Sequence, residues 1–405
     1  MKLWVKILIA MLLGALTGAA LREIGYVELA ENFKPLGDIF LRLINMIIVL
    51  LILSSMTVGI TSIHDPSKLG RVGLKTLFLY VSTTLAAIAI GMVVATVLRP
   101  GAYLQLETTQ HTVAYASHSL MEMIFSMIPK NPIKAMVEEN VLQIIVFSVF
   151  LGVSINFAGE KGRPLLRFLD SLAEVMYRLT SIVMEFSPIG VYGIMTWVIA
   201  VYGPAALGDL AFFLGVYVVA CAIHVLLVNV GILHFLAKLN PLVFFRGMGD
   251  ALITAFSTSS SSATLPVTMH CVQENLGVSK NISGFVLPLG STVNMNGAAI
   301  YQAMCALFVA QRYGITLEPM QYGMIVFTAT VSAIGAAGIP GSGFLMLSVV
   351  LGAAGLPTEG LAYLYGIDRI REMFSTMLNV LGDAVCAVYV AKQEGELNER
   401  RYYRN

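Results

Sequence analysis

The chain has 405 residues, 57% of them hydrophobic and only 12% charged, with 25 Lys+Arg against 24 Asp+Glu. Soluble domains carry about 25% charged residues, so most of this surface faces something other than water, and the balanced charge gives no reason to expect a nucleic-acid partner. Cys221, Cys271, Cys305 and Cys386 lie far apart in apolar runs without a CxxC pairing, so they suggest neither a zinc site nor a redox motif and read as core residues.

Apolar stretches of spanning length, about 20 residues each, fall near 4–21, 36–62, 73–98, 140–158, 170–200, 208–237, 281–311 and 360–392. The first reads as a spanning helix rather than a cleaved leader, because similar segments follow along the whole chain. Residues 119–139, broken by two prolines and charges, read as a loop with partial helices. Basic residues mark the cytoplasmic side. Lys2 and Lys6, then Lys68, Arg71 and Lys75, then Lys161, Arg163 and Arg167, then Lys238 and Arg246, and the tail NERRYYRN all follow an even number of crossings. Both termini are therefore expected in the cytoplasm, and the protein in the plasma (inner) membrane as a multi-pass chain.

Two further segments are apolar at both ends and polar in the middle. Residues 242–275 are interrupted by Ser257-Thr258-Ser259-Ser260-Ser261-Ser262, and residues 322–357 by Gly335-Ala336-Ala337-Gly338-Ile339-Pro340-Gly341-Ser342-Gly343. Backbone at membrane depth must satisfy its own polar groups, so such breaks are tolerated only against protein or a water-filled cavity. Each reads as a re-entrant hairpin followed by a long helix with polar residues in it. Two such units entering from opposite sides form an inverted repeat, an arrangement that places a transport site near the membrane midplane.

In the last span Asp368, Glu372, Ser375, Asn379 and Asp383 recur at steps of 4, 3, 4 and 4, which puts them on one helical face, with Thr376 beside it. Three acids and two arginines turned to lipid would cost on the order of 10 kcal/mol, so this face meets protein, water or a ligand. The plainer alternative is a structural ion-pair helix, with Asp368 on Arg371 and Arg369 on Glu372 at i,i+3. In the span before it, Gly290-Ser291-Thr292-Val293-Asn294-Met295-Asn296-Gly297 favours an unwound turn whose carbonyls can ligate a hard cation. A neutral polar kink is the bland reading. The hydroxyls and N–H groups of the serine tip suit a carboxylate where a half-helix begins.

The order of serine tip, NMxG, Gly-Pro-Gly tip and D…NVxGD, together with Ile128-Pro129-Lys130-Asn131-Pro132-Ile133, resembles the dicarboxylate/amino acid:cation symporter family across essentially the whole chain. This resemblance implies an all-α membrane protein of eight transmembrane helices and two re-entrant hairpins, working as an elevator in a homotrimer within membrane lipid. It implies scaffold helices 1–2 over 1–72 and helices 4–5 over 111–207. Helix 3 (73–110) and residues 208–405 would form the moving transport domain. It places a small amino-acid substrate among the tips of both hairpins (Ser260, Ser261, Ser262; Ile339, Gly341), Ala298, and Asp368, Glu372, Ser375, Thr376 and Asn379. Ser261 and Asn379 match the α-carboxylate ligands, and Glu372 stands where an aspartate usually takes the α-amino group. Gly290, Asn294, Asn379 and Asp383 match one sodium site, Tyr80, Thr83, Thr84 and Asn296 a second, and Thr292, Met295, Ala333, Ile334 and Ala336 a third built on backbone carbonyls.

Three departures from the family pattern shape the expected function. Asn296 replaces the aspartate of NMDGT, and a dehydrated hard cation usually needs a carboxylate, so the second sodium site is expected to be degraded. Ala298 replaces a threonine and Ser375 the arginine that pairs with an acidic side chain. A buried carboxylate without that partner forfeits hydrogen bonds worth about 1.5–3 kcal/mol each. A neutral amino acid is therefore expected to be preferred, with reduced or absent sodium coupling and protons replacing some sodium. The alternative is a sodium- or proton-coupled symporter of acidic amino acids or dicarboxylates. Arg371, one turn before Ser375, would favour that alternative by swinging into the pocket. No other cofactor is expected, and nothing pairs a nucleophile with a base, so an enzyme is not expected. An anion channel is the competing class.

Overall fold

The computed structural model describes residues 3–61, 66–102, 128–138, 141–203, 205–335, 341–358 and 360–404. Among them the secondary structure is helical, apart from one antiparallel bridge between Val278 and Leu397. Four helices, over Arg71–Leu98, Leu207–Leu236, Lys280–Arg312 and Gly366–Gln393, are long and apolar enough to cross a membrane.

The first group of helices comprises α1 (Leu3–Glu23), α2 (Lys34–Thr61), the short α4 (Pro132–Val137), α5 (Val141–Ala158), α6 (Arg163–Met184) and α7 (Ser187–Tyr202). Helix α2 packs against α5, α6 and α7, and α1 lies along α7. The α1–α7 approach depends on missing side chains, since a Cβ on Gly14 or Gly18 would come 2.6 Å from Tyr192 O or 2.5 Å from Thr196 O. Small residues allow such backbone proximity where apolar solvent gives little drive for association. Arg22 Nη1 then donates to the last α7 carbonyls, Ala200 (3.0 Å) and Val201 (2.9 Å).

The single span expected over 170–200 is two helices. Pro188 sits in the first turn of α7, where its missing N–H costs nothing, but it could not continue α6 without a clash. Helix α6 carries Arg163, Arg167, Asp170, Glu174 and Arg178 as a polar stripe, so the continuous apolar stretch shrinks to Pro188–Val201. Helix α3 (Pro66–Leu98) begins earlier than the sequence suggests. Of residues 119–139, those from 119 to 127 lie outside the described residues, and α4 supplies the partial helix.

The second group comprises α3, α8 (Ala205–His224, continued by π turns Val225–Asn229 and Ile232–Leu236) and the arms of both hairpins. The serine-tipped arms are α9 (Pro241–Gly247) with α10 (Gly249–Thr258), and α11 (Ser261–His270). Next come α12 (Lys280–Val293) and α13 (Asn296–Arg312), then the second pair of arms, α14 (Pro319–Gly335) with α15 (Ser342–Leu345) and α16 (Leu347–Ala353). Helix α17 (Gly360–Gln393) packs on α8, α10, α12 and α13, and α13 lies along α3. All four cysteines are buried and free.

The tail binds back on this group. Asn398 N donates to Gly277 O at 2.8 Å, buried Tyr402 donates to Asn240 O at 2.9 Å, and α18 (Glu399–Tyr402) follows. Glu394 accepts from Lys75 at 2.6 Å and also from Arg71, and these bonds, Lys75 first, hold its carboxyl below the usual carboxylate range. A depressed folded pKa contributes stability that is present above the ordinary value of about 4.3 and lost as pH falls through the folded one. Thermal melts taken downward from pH 5 should therefore lose stability in the parent and not in Glu394→Gln. The loss is small and salt-sensitive, because the Arg71 side chain is 75% and that of Lys75 39% exposed.

Candidate functional site

The apolar arm α12 ends at Val293, and Asn294 (φ −98, ψ 71) and Met295 (φ −98, ψ 57) leave helical geometry before α13 begins. The expected unwound turn is present, and it is fully buried. Asn294 Nδ2 donates to Asp383 Oδ1 at 2.8 Å, and Thr83 Oγ1 is 3.4 Å from Asn294 Oδ1. Thr84 Oγ1 donates to Asn296 Oδ1 at 3.1 Å, and Asn296 Nδ2 reaches Thr83 Oγ1 at 3.5 Å. Tyr80 is turned away to Val286 O at 2.9 Å but passes beside Gly290.

Tyr80, Thr83, Thr84, Gly290, Asn294, Asn296 and Asp383 therefore converge from α3, α12, α13 and α17. Gly290 is required by the approach of α17, since a Cβ there would meet Asp383 Oδ1 and lie 2.5 Å from Tyr80 Oη. Gly290→Ala must push Asp383 or Tyr80 aside, at about 1–3 kcal/mol for overpacking. The melting temperature of this variant in detergent is expected to fall below the parent's.

The donor set decides which cation the turn could hold. Asp383 with Asn294 Oδ1 and the neighbouring carbonyls offers oxygen atoms and one carboxylate, which fits a hard cation. The Asn296 corner offers no carboxylate, and its amide already bonds Thr83 and Thr84, so a cation there does not fit. The third set is only partly assembled. Met295 is buried, Thr292 Oγ1 donates to Leu289 O at 3.0 Å, Ala333 and Ile334 end α14, and Ala336 lies outside the described residues.

One turn along α17 the second cluster begins. Asp368, Arg371, Glu372, Ser375, Thr376 and Asn379 are all buried, so the polar stripe faces protein. Both i,i+3 pairs form, with Arg369 Nη1 3.1 Å from Glu372 Oε2 and Arg371 Nη2 2.5 Å from Asp368 Oδ1. Glu372 also accepts from Gly341 N, which ties the second hairpin's tip to α17. Asn379 Oδ1 accepts from Gly297 N at 2.8 Å, so one side chain bridges this cluster and the unwound turn.

The serine tip comes from the first hairpin. Ser259 takes a left-handed conformation (φ 52), and Ser260 caps α11 by accepting from Ala263 N at 3.1 Å. Ser261 is buried and Ser262 half-buried in the first turn of α11. Phe256 meets Phe374 edge-on at 5.5 Å, which holds this hairpin against α17. Ala298 lies 3.3 Å from the position a Cβ on Gly343 would take. Ile339 lies outside the described residues.

Three aromatic and amide groups were not singled out in the sequence. Tyr301 lies under the Arg371 guanidinium at 4.1 Å, Tyr217 donates to Gly297 O at 3.1 Å, and Gln302 Nε2 reaches Gly343 O at 3.5 Å. Tyr301 and Gln302 carried a signal, as polar groups in an otherwise apolar span. Tyr217 carried none, because its neighbours come from distant elements. Ser259 Oγ, Tyr301 Oη, Gln302 Oε1 and Arg369 Nε are buried and have no protein partner. Buried polar atoms are paired in the great majority of cases, so these atoms are candidates for contact with water or a ligand.

Buried ionic and amide side chains within long apolar helices are the setting of a membrane transporter. The family model for the Sodium:dicarboxylate symporter family matches residues 3–393, and the chain belongs to that family. It is 36% identical over 405 residues to the proton/sodium-glutamate symport protein of Geobacillus stearothermophilus, covering 98% of this chain and 95% of the relative. It is 36% identical over 414 residues to the proton/glutamate-aspartate symporter of Escherichia coli K12 (98% and 94% covered). It is 34% identical over 408 residues to the C4-dicarboxylate transport protein of Rhodospirillum rubrum (98% and 90% covered).

Proposed function

We propose that this protein is a cation-coupled secondary active transporter of a small amino acid with an uncharged side chain. The observation that carries the reading is Asn379, which stands one and two turns beyond Ser375 and Glu372 on α17 and accepts from Gly297 N beside the turn that bonds Asp383. A cation on that turn and a solute at the hairpin tips would each order the other's site, which is a coupling free energy between two ligands. The solute's α-carboxylate fits Ser261 with Asn379, and its α-amino group fits Glu372.

The side-chain preference follows from charge. Asp368 accepts from both Nε (3.1 Å) and Nη2 of Arg371, so that guanidinium is already neutralised. With Arg369 on Glu372, the four charges of the Asp368–Glu372 cluster sum to zero, and a zwitterion adds no net charge to it. An acidic substrate would add one negative charge to a buried site. A second reading, an acidic amino acid or C4-dicarboxylate as substrate, is favoured by the nearness of Arg371 to Gly343 and by the names of the relatives.

Coupling follows from the donor sets. Asp383 as the single carboxylate at the turn supports one sodium ion or proton in place of several. In this reading the chain spans eight times, with both hairpins re-entrant and both termini cytoplasmic in the inner membrane. The first helix group would be a trimeric scaffold, and the second would move as the carrier. The packing of α3 on α13, rather than on α2, supports assigning helix 3 to the carrier.

The test is uptake of a labelled amino-acid panel by purified protein in liposomes, under a sodium gradient, a proton gradient and neither. Saturable uptake of a neutral amino acid driven by one cation supports the reading. Driven aspartate or malate uptake with no neutral uptake replaces it with the second, and steady anion conductance without counterflow replaces both with a channel.

A further inference from the structure

We infer that the chain after α17 is a strap that fixes both feet of the serine-tipped arms α9–α11. Arg401 and Tyr402 are its positioning residues, and what they steady is the tip of those arms at Ser260, Ser261 and Ser262. The link to transport rests on the proposed solute site at that tip, whereas the strap itself lies outside it.

The strap begins where α17 ends. Gly395 turns the chain back in the left-handed region (φ 72), and Glu396 N donates to Ala391 O at 2.8 Å across that turn, as helices closing on glycine commonly do. The next residues run against the segment between α11 and α12. Ser279 N donates to Glu396 O at 3.1 Å, Val278 bridges Leu397, and Asn398 N donates to Gly277 O at 2.8 Å. This approach requires glycine, since a Cβ on Gly277 (φ 74) would lie 2.6 Å from Asn398 O.

Asn398 then caps α18, accepting from Arg401 N at 3.1 Å, and the two residues that follow reach different feet. Arg401 takes the exit foot, the π turn Cys271–Asn275 that continues α11. Its Nε donates to Glu274 O at 2.7 Å, and its Nη2 pairs with the Glu274 carboxylate. Tyr402 takes the entry foot, donating at 2.9 Å to the carbonyl of Asn240, the residue that caps α9. The Tyr402 ring is 0% exposed and shares one buried apolar cluster with Leu239 and Phe244 of the entry foot and Leu276 of the exit foot. The feet also meet directly, through Asn275 Nδ2 to Gly247 O at 2.8 Å.

Nearer the tip the arms have less support. Phe256 packs on Phe374 of α17, but Leu242 and Ile253 on the same arm are each 69% exposed. Ser260 stands beyond roughly 25 Å of helix from Asn240, so a small rotation at the feet is magnified at the tip. A binding constellation keeps its geometry only when the residues behind it are themselves held.

Hydrogen exchange of the full chain in detergent, read by mass spectrometry beside uptake into liposomes, tests the strap. Tyr402→Ala should speed amide exchange over 241–275 by fivefold or more and leave exchange over 296–312 at the parental rate, the pattern of local rather than global opening. The KM for a labelled neutral amino acid should rise threefold or more, with the maximal rate within twofold of the parent. Tyr402→Phe keeps the ring in its socket and should restore most of both, because Asn240 is exposed and water can take up its carbonyl. Arg401→Gln breaks only the half-exposed Glu274 pair and should show the same pattern in smaller degree, which covers a Tyr402→Ala chain that does not fold. Parental exchange over 241–275 in these variants overturns the strap. So does exchange that rises equally over 296–312, which would make Tyr402 a general packing residue. Faster exchange confined to the arms with KM unmoved overturns the link to the serine tip. A parent without saturable amino-acid uptake overturns the proposed function instead, and the exchange result still judges the strap.

Discussion

Arg371→Met is expected to destabilise the protein by about 3–5 kcal/mol, the usual consequence of leaving one member of a buried ion pair alone. Asp368 is 5% exposed and its partner 1%, so no solvent replaces the lost guanidinium. The stack on Tyr301 is lost at the same time. The double variant Asp368→Asn/Arg371→Met removes both charges and should recover most of that stability, as replacement of whole buried pairs often does. Its transport then separates the two substrate readings. If Arg371 serves only Asp368 and Tyr301, the double variant carries neutral amino acids near the parental rate. If Arg371 holds a substrate carboxylate, the double variant folds but loses driven uptake of the acidic solute. Melting temperature in detergent and uptake of paired neutral and acidic substrates decide between these results.

The second large effect is expected from Asn296→Asp. The carboxylate would enter a fully buried corner whose present contacts are the hydroxyls of Thr83 and Thr84. Without a cation it lacks a charged partner, so the variant should be less stable than the parent in potassium buffer. Sodium should reverse this, because an ion that binds the folded state stabilises by about 2.7 kcal/mol at one hundred times its dissociation constant. The expected result is a melting temperature that climbs with sodium in Asn296→Asp and stays flat, or climbs less, in the parent. Uptake should gain a steeper sodium dependence in parallel. A sodium response in the parent equal to that of the variant would mean that the neutral corner already binds the ion, and the reduced-coupling reading would fall.

The candidate site was legible in the sequence to an unequal degree. The stripe on α17 was visible because helical spacing of charged residues in an apolar run has few explanations, and every member of it is buried. The unwound turn at Asn294–Met295 was visible because the segment puts two asparagines and a glycine in mid-span. The role of Arg371 was not. Spacing placed it on the right face but could not say whether its guanidinium turns to Asp368, to Tyr301 or to a ligand. That choice depends on α13 lying close enough for the ring to sit 4.1 Å away. The fifth span shows the opposite failure, where an apolar average over 170–200 hid a polar stripe on α6 and the break at Pro188.

What the sequence by itself determined is the membrane setting, the helical class and which residues carry charge or oxygen. These depend on local pattern, because hydrocarbon penalises every unpaired backbone group and charge wherever it occurs along the chain. The tertiary structure alone decided which of these groups are already satisfied by one another. Asn296 is tied to Thr83 and Thr84, and Asn379 to Gly297. Pairing of this kind joins residues more than 80 or 200 positions apart, so it is fixed by how helices pack and by no periodicity within any one of them.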